Sequence, residues 1–280
     1  MTASISLSAP ACCITWSARQ DGLRALAAAL SPQGALYAMV YATARRAGVY
    51  LLQDMFRRLG VEQNAQGIAF VRQILKELPP HHYARWFLPD ASVQIEDAEL
   101  VDIFLHVQDR AYSVAEVLDL VAGAGLAFQG WSDNGMYTRD AHIDPASALW
   151  ARLDNAAEAD EWSAVDDFTL HHMRHSFVAR HPREDSPWRI DFDGAGWPKY
   201  RPVRHPSLTA LGGEKFQRGP FQFTLTQQEQ LLLQACDGKT SIATMAARLT
   251  EPQGQAERRE AARIFFRRMW RLGHLFYLTA

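Results

Sequence analysis

The stretch Leu30-Ser31-Pro32-Gln33-Gly34-Ala35-Leu36-Tyr37-Ala38-Met39-Val40-Tyr41 decides the fold. Upstream of it, leucines and alanines recur at helical spacing from Asp21 to Leu30, and Ser31-Pro32-Gln33-Gly34 stops that helix. Ala35 to Tyr41 is apolar at both alternating sets of positions, as a strand covered on both faces requires. Helix, Pro-Gly turn and buried strand in that order predict an α/β architecture.

Working outward, three helical patterns follow the strand: Ala44 to Leu59, Ala65 to Leu78 and Asp97 to Leu105, separated by Gly60, Pro79-Pro80 and Pro89. Ser113 caps a further helix running to about Ala122. Glu116 completes a capping box, and Gly123 to Gly125 end the helix before a strand at Leu126 to Trp131. An acidic helical stretch from Pro145 to about Asp167 precedes the apolar run Ser176-Phe177-Val178-Ala179, which is expected to pair antiparallel with the strand near Phe128. A helical insertion at about 138–173 therefore sits within a hairpin. Residues 182–206, with Pro182, Pro187, Pro198, Pro202 and Pro206, read as an irregular connector. In 207–280, three helices (Thr226 to Cys236, Ile242 to Leu249, Gln255 to Leu272) and a strand (His274 to Leu278) suggest a small winged-helix-like domain.

A chain of 280 residues suits one core domain with a smaller appendage. Its 48% hydrophobic and 21% charged residues exclude disordered, collagen-like and disulfide-scaffold classes. A net charge of -2 gives no global support for nucleic acid or an anionic membrane as partner. Cys12, Cys13 and Cys236 are an odd number without metal-ligand spacing, which fits a reducing compartment. The longest apolar run, Ala35 to Ala42, is far short of the roughly 20 residues of a membrane span, and the N-terminus lacks the basic region of a signal peptide. A cytoplasmic protein is expected.

Several motifs have plain readings. Gly123 and Gly125 close a helix rather than open one, so they do not form a nucleotide fingerprint. Asp191-Phe192-Asp193-Gly194 begins like a calcium loop but lacks its later ligands, and reads as a turn. His171 and His175 stand at the i, i+4 spacing of a zinc pair, with His172 beside them. No nearby carboxylate or cysteine completes a set in the sequence, so no metal is expected. Arg258, Arg259, Arg263, Arg267, Arg268 and Arg271 give the last helix a basic face, which is more often solvated or paired with acids than bound to phosphates.

The segment Asp102-Ile103-Phe104-Leu105-His106-Val107-Gln108-Asp109-Arg110-Ala111-Tyr112-Ser113 packs a histidine, an acid, an arginine and a tyrosine into a turn between two helices. Such a turn either presents polar groups to a ligand or caps the helices it joins. Both readings stand on the residues alone.

This segment, together with Gly22-Leu23-Arg24-Ala25-Leu26 and the Leu30 to Leu36 stretch, resembles bacterial class I S-adenosylmethionine-dependent methyltransferases. The resemblance covers 20–181. It implies the C-terminal, substrate-side half of a Rossmann-like doubly wound sheet whose last strand is antiparallel, with donor and substrate meeting at the strand carboxyl ends. By resemblance, His106 and Asp109 are candidate bases, and Tyr41, Arg110 and Tyr112 are candidate substrate-binding residues. The implied cofactor is S-adenosylmethionine, although the family's first strand and its Gly-x-Gly loop have no counterpart here. A sheet of this kind is expected to expose an edge and the apolar face of Leu36, Met39 and Val40.

Family members carry Gly-Val-Leu-His-His-Leu where this chain has Pro10-Ala11-Cys12-Cys13-Ile14-Thr15-Trp16. The codons CCG GCG TGC TGC ATC ACC TGG spell the latter, and the same bases read from the third give the former. One missing C in the codons of Ala18 to Gln20 rejoins the two frames. Residues 1–19 are accordingly read as out-of-frame translation after a frameshift. On that reading the chain is a truncated methyltransferase, inactive alone and open to complementation by an upstream donor-binding fragment. The competing expectation is a non-catalytic binding module built on the C-terminal domain. The substrate, small molecule or protein, is not specified by the residues.

Overall fold

The computed structural model describes residues 7–10, 19–88, 95–182 and 190–278. Cys12, Cys13, Pro89, Pro187 and, apart from 7–10 and Arg19, the segment read as out of frame lie outside the described residues. The chain forms two compact units, one holding residues up to 131 together with 166–181, the other holding 132–165 together with residues from 182 onward.

The first unit is built on one sheet. Strand β1 (Leu7–Pro10) leads to helix α1 (Arg19–Ala29) and strand β2 (Leu36–Ala42), which pairs parallel to β1. Strand β2 passes without a loop into helix α2 (Thr43–Arg58), followed by α3 (Ala65–Glu77) and α4 (Asp97–Leu100), which widens into a π turn at Val101–Leu105. A short strand β3 (Ala111–Tyr112) then pairs parallel with the end of β2. Ser113 caps α5 (Val114–Gly123) with the expected capping box, and Gly125 takes a positive φ of 74° at its end. Strand β4 (Ala127–Trp131) follows.

The chain next runs through α6 (Arg139–His142), α7 (Ala148–Leu153) and α8 (Glu158–Thr169) before returning as β5 (Arg174–Arg180). Strand β5 lies antiparallel between β2 and β4, giving the sheet order β1-β2-β5-β4. The hairpin with a helical insertion is present as the sequence indicates.

Alternation along β2 divides the sheet faces. Leu36, Ala38, Val40 and Ala42 are buried, with Ala38 opposite Phe177 and Val40 opposite His175. Leu36 and Val40 were expected to be exposed. Both are 0% exposed, as are Leu23 of α1 and Val117 of α5; α5 packs on β3, β4 and β5, and α1 packs on α5. Along α2, Val49, Leu52 and Phe56 enter a separate core with Val71 and Phe104. Gly48 is required there: a Cβ at this position would meet the Ala84 amide nitrogen at 2.1 Å.

The second unit continues through a 3-10 turn (Trp197–Lys199) to β6 (Arg201–Arg204), β7 (Leu208–Gly212), β8 (Lys215–Arg218) and β9 (Phe221–Thr224). Helices α9 (Gln227–Gln234), α10 (Ile242–Ala246) and α11 (Gln255–Arg271) and strand β10 (Leu275–Leu278) complete it. Strands β7, β8 and β9 form an antiparallel sheet, and β10 pairs with β6. The segment read as an irregular connector thus contains a paired strand, and Trp197 and Tyr200 belong to the core around Ile242, Met245 and Phe266. Proline is tolerated in β6 because Pro202 keeps its acceptor, whose carbonyl takes the Gly238 amide at 2.9 Å. Among the described residues no helix is long and apolar enough to cross a membrane.

Candidate functional site

The passage from β2 straight into α2 places two polar groups beside each other. Tyr41 is the penultimate residue of β2, and Arg46 lies in the first turns of α2 on the stripe that also carries Val49, Gln53 and Phe56. An arginine on such a stripe is buried with its neighbours. Its guanidinium sits 3.7 Å from the Tyr41 ring centre, 5.6 Å from that of Tyr50 and 5.4 Å from that of Phe87.

Arg46 Nη2 pairs with Asp109 Oδ2, and the two side chains are 2% and 3% exposed. Gln53 Nε2 donates to the same carboxylate oxygen at 3.2 Å and to the Ile103 carbonyl at 2.7 Å. The turn after the π segment is thereby fastened to α2. Asp109 Oδ1 and Arg46 Nε make no hydrogen bond among the described residues. Burial raises the Tyr50 phenol well above its ordinary range, and the Asp109 charge adds to this while Arg46 opposes it. Tyr41 is raised too, by burial first, with Arg46 acting against it.

The remaining sequence candidates fall elsewhere. His106 Nδ1 accepts the Gln108 amide at 3.0 Å, closing its own turn. Arg110 is exposed and reaches Glu116 Oε1 at 2.5 Å while lying 4.8 Å from the Tyr112 ring centre. Burial works against ionisation of Glu116, but the Ser113 amide and Arg110 outweigh it and hold the carboxyl below its usual range. Tyr112 is 2% exposed and its backbone belongs to the sheet. The structure therefore joins Tyr41 and Asp109 through Arg46, and ties Arg110 to Tyr112 and a helix cap. Arg46, Tyr50 and Gln53 escaped the sequence reading. The available signal was a polar set at 46, 50 and 53 on an otherwise apolar stripe.

A second polar cluster is buried in the same unit. His172 Nδ1 lies 2.6 Å from Asp166 Oδ1, and His175 Nε2 lies 3.8 Å from Asp166 Oδ2 and 3.0 Å from the Tyr112 carbonyl. Burial pushes His175 down to about 4, against the opposing pull of Asp166. The carboxylate that the sequence reading found missing is Asp166, and the histidines it meets are 172 and 175 rather than the i, i+4 pair. The helix ends before His171, so helical spacing does not apply.

No protein-family model matches the chain. It is 25% identical over 242 residues to the uncharacterized protein syc1184_c of a Synechococcus species, across 82% of this chain and 56% of that protein. Among solved structures it is similar to PKMT2 from Rickettsia typhi, at a TM-score of 0.59 and 12% identity, covering 98% of this chain and 57% of that one. The same protein in complex with AdoHcy gives a TM-score of 0.54 at 12% identity, covering 58% of its chain. The chain thus spans a little over half the length of the proteins it matches. At this level of identity the likeness shows fold: the chain has a mixed α/β fold similar to that of PKMT2.

Proposed function

We propose that this chain carries the substrate-side half of an S-adenosylmethionine-dependent methyltransferase. The observation that carries the reading is the placing of antiparallel β5 between β2 and β4, with a buried polar site at the carboxyl end of β2. Open α/β sheets bind their ligands at that end. The similarity to PKMT2, seen with AdoHcy bound, supports it further.

S-adenosylmethionine is an activated methyl donor, so the residues of this chain have to hold the acceptor, align it and take its proton where it has one to lose. Asp109 is the base in this reading: Arg46 and Gln53 occupy Oδ2 and leave Oδ1 for the substrate. Tyr41 and Tyr50 wall the site. His106, Arg110 and Tyr112 are assigned to the turn that carries Asp109, His106 and Tyr112 as supports and Arg110 as an outer contact for substrate.

The described residues do not fit the donor's glycine loop. Strand β2 enters α2 at Thr43 with no glycine between them, and β3 reaches α5 through Ser113. In this reading the loop comes from residues outside 19–278, in line with the frameshift at 1–19, and the chain is inactive alone. The second unit is read as winged-helix-like, its helices α9, α10 and α11 preceding β10, with Asp237 bridging to Val203. Four arginines of its basic helix face are paired with acids: Arg263 and Arg267 with Asp193, Arg268 with Glu229, and Arg271 with Glu161 and Asp140. A cytoplasmic site of action accords with this reading.

Equilibrium dialysis with labelled S-adenosylmethionine tests the proposal. The chain alone is expected to show no saturable binding, and the chain joined in frame to the upstream coding segment is expected to bind. Saturable binding by the chain alone refutes the assignment of the donor loop to other residues. Absence of binding by the joined polypeptide refutes the methyltransferase reading.

A further inference from the structure

We propose that Asp166, His172 and His175 form a binding site for one divalent transition-metal cation, with zinc the best chemical match. The three side chains are 5%, 6% and 0% exposed, and their ligand atoms all lie within 4.8 Å of one another. Two imidazole nitrogens and one carboxylate oxygen are a donor set of intermediate softness. It favours zinc, iron or cobalt over magnesium and calcium, which take oxygen ligands.

A carboxylate withdrawn from water needs a positive partner. Asp166 has no arginine or lysine among its ion-pair partners in the described residues; it meets the two imidazoles only.

Bonds of about 2.0–2.2 Å to one ion place ligand atoms roughly 3–4 Å apart. His172 Nδ1 stands 2.6 Å from Oδ1 of Asp166 and His175 Nε2 3.8 Å from its Oδ2, so a carboxylate holding the ion with both oxygens reaches that range if the His172 contact opens by less than about an ångström.

The scaffold is already fixed. His175 sits in β5, paired there with Val40 of β2; its Nε2, the nitrogen 3.8 Å from Asp166, also lies 3.0 Å from the Tyr112 carbonyl, so a cation on Nε2 would replace that hydrogen bond and could take the carbonyl oxygen as a further ligand. Between Asp166 and His172 the chain turns at Leu170, whose φ of 51° is the single positive value for a non-glycine among the described residues. Leu170 is a bulky residue held in a costly conformation, and the turn it makes brings the end of α8 back onto β5 so that Asp166 and His172 meet. A cation there would pin α8 to β5 and β3. The site does not depend on the methyltransferase reading.

The test uses the full chain, stripped with a chelator and titrated with cobalt(II), then with zinc. One equivalent of cobalt is expected to give the visible absorption of a low-coordinate nitrogen and oxygen site, and one equivalent of zinc to displace it. Asp166→Asn and His172→Gln are each expected to weaken cobalt binding by more than about tenfold. No cobalt spectrum with the unaltered chain overturns the proposal and leaves a histidine–carboxylate hydrogen bond in its place. An unchanged stoichiometry and affinity in both variants overturns it as well. If a variant fails to fold, the titration of the unaltered chain still decides.

Discussion

Arg46 of α2 and Asp109 of the turn before β3 are joined in an ion pair whose two side chains are 2% and 3% exposed. The pair closes a loop of 63 residues and fixes the turn against the carboxyl end of β2. Breaking such a pair from one side strands a charge in the interior.

Arg46→Met is therefore expected to destabilise the chain by about 3–5 kcal/mol. The double variant Arg46→Met with Asp109→Leu recovers much of that loss, because no charge is left unpaired. Urea unfolding of the three proteins checks this. A single variant as stable as the unaltered chain contradicts a buried ion pair.

Gly48→Ala drives a methyl group into the Ala84 backbone and is expected to cost about 1–3 kcal/mol or more. Gly60→Ala meets no atom within 4 Å and pays only for its positive φ of 68°, about 1 kcal/mol. The ranking of the two melting temperatures is the test. Equal shifts contradict the close approach of α2 to Tyr83–Trp86.

His274 supplies a pH dependence. Its Nδ1 accepts from Arg218 Nε at 3.0 Å, and Arg218 is held by Asp133 and the Leu272 carbonyl. Burial, reinforced by the Arg218 charge, pushes His274 down to about 3. Its folded pKa lies below the unfolded value of 6.5, so the unfolded chain takes up the proton first. The contribution is fully present above about pH 6.5 and is lost as pH falls toward 3, on the order of 4–5 kcal/mol over the whole range. His274→Gln is expected to flatten that part of the stability profile measured from pH 7 to 4. An unchanged slope contradicts the assignment.

Ser113→Ala removes one arm of the capping box on α5, where Ser113 Oγ accepts the Glu116 amide at 3.3 Å. A loss of about 1 kcal/mol is expected, with Ser113→Asp close to neutral. Thermal unfolding distinguishes them.

Much of the first unit was legible because its signals are local. The Ser31 to Gly34 stop, the doubly apolar β2 and the Ser113 to Glu116 box each declare themselves within a few residues. The sheet β7-β8-β9 was not legible: its strands are four or five residues long and mostly outward-facing, so no apolar alternation marks them. Strand β6 was hidden by Pro202, which normally argues against a strand but costs little where only its carbonyl is used. Asp109 was legible as a candidate, whereas Arg46 was not, since an arginine in a helix is ordinarily read as surface. The Asp166 cluster depends on the turn at Leu170, which no periodicity signals.

Methyl transfer at a site centred on Asp109 can be followed directly. The most direct measurement is transfer of label from tritiated S-adenosylmethionine to amine, hydroxyl and protein acceptors by the chain joined to the upstream segment. It is made with the unaltered protein and with Asp109→Asn, donor affinity being measured in parallel. We predict transfer that falls roughly 100-fold or more in Asp109→Asn, with donor binding unchanged. Donor binding without transfer to any acceptor, or transfer indifferent to Asp109→Asn, contradicts the account.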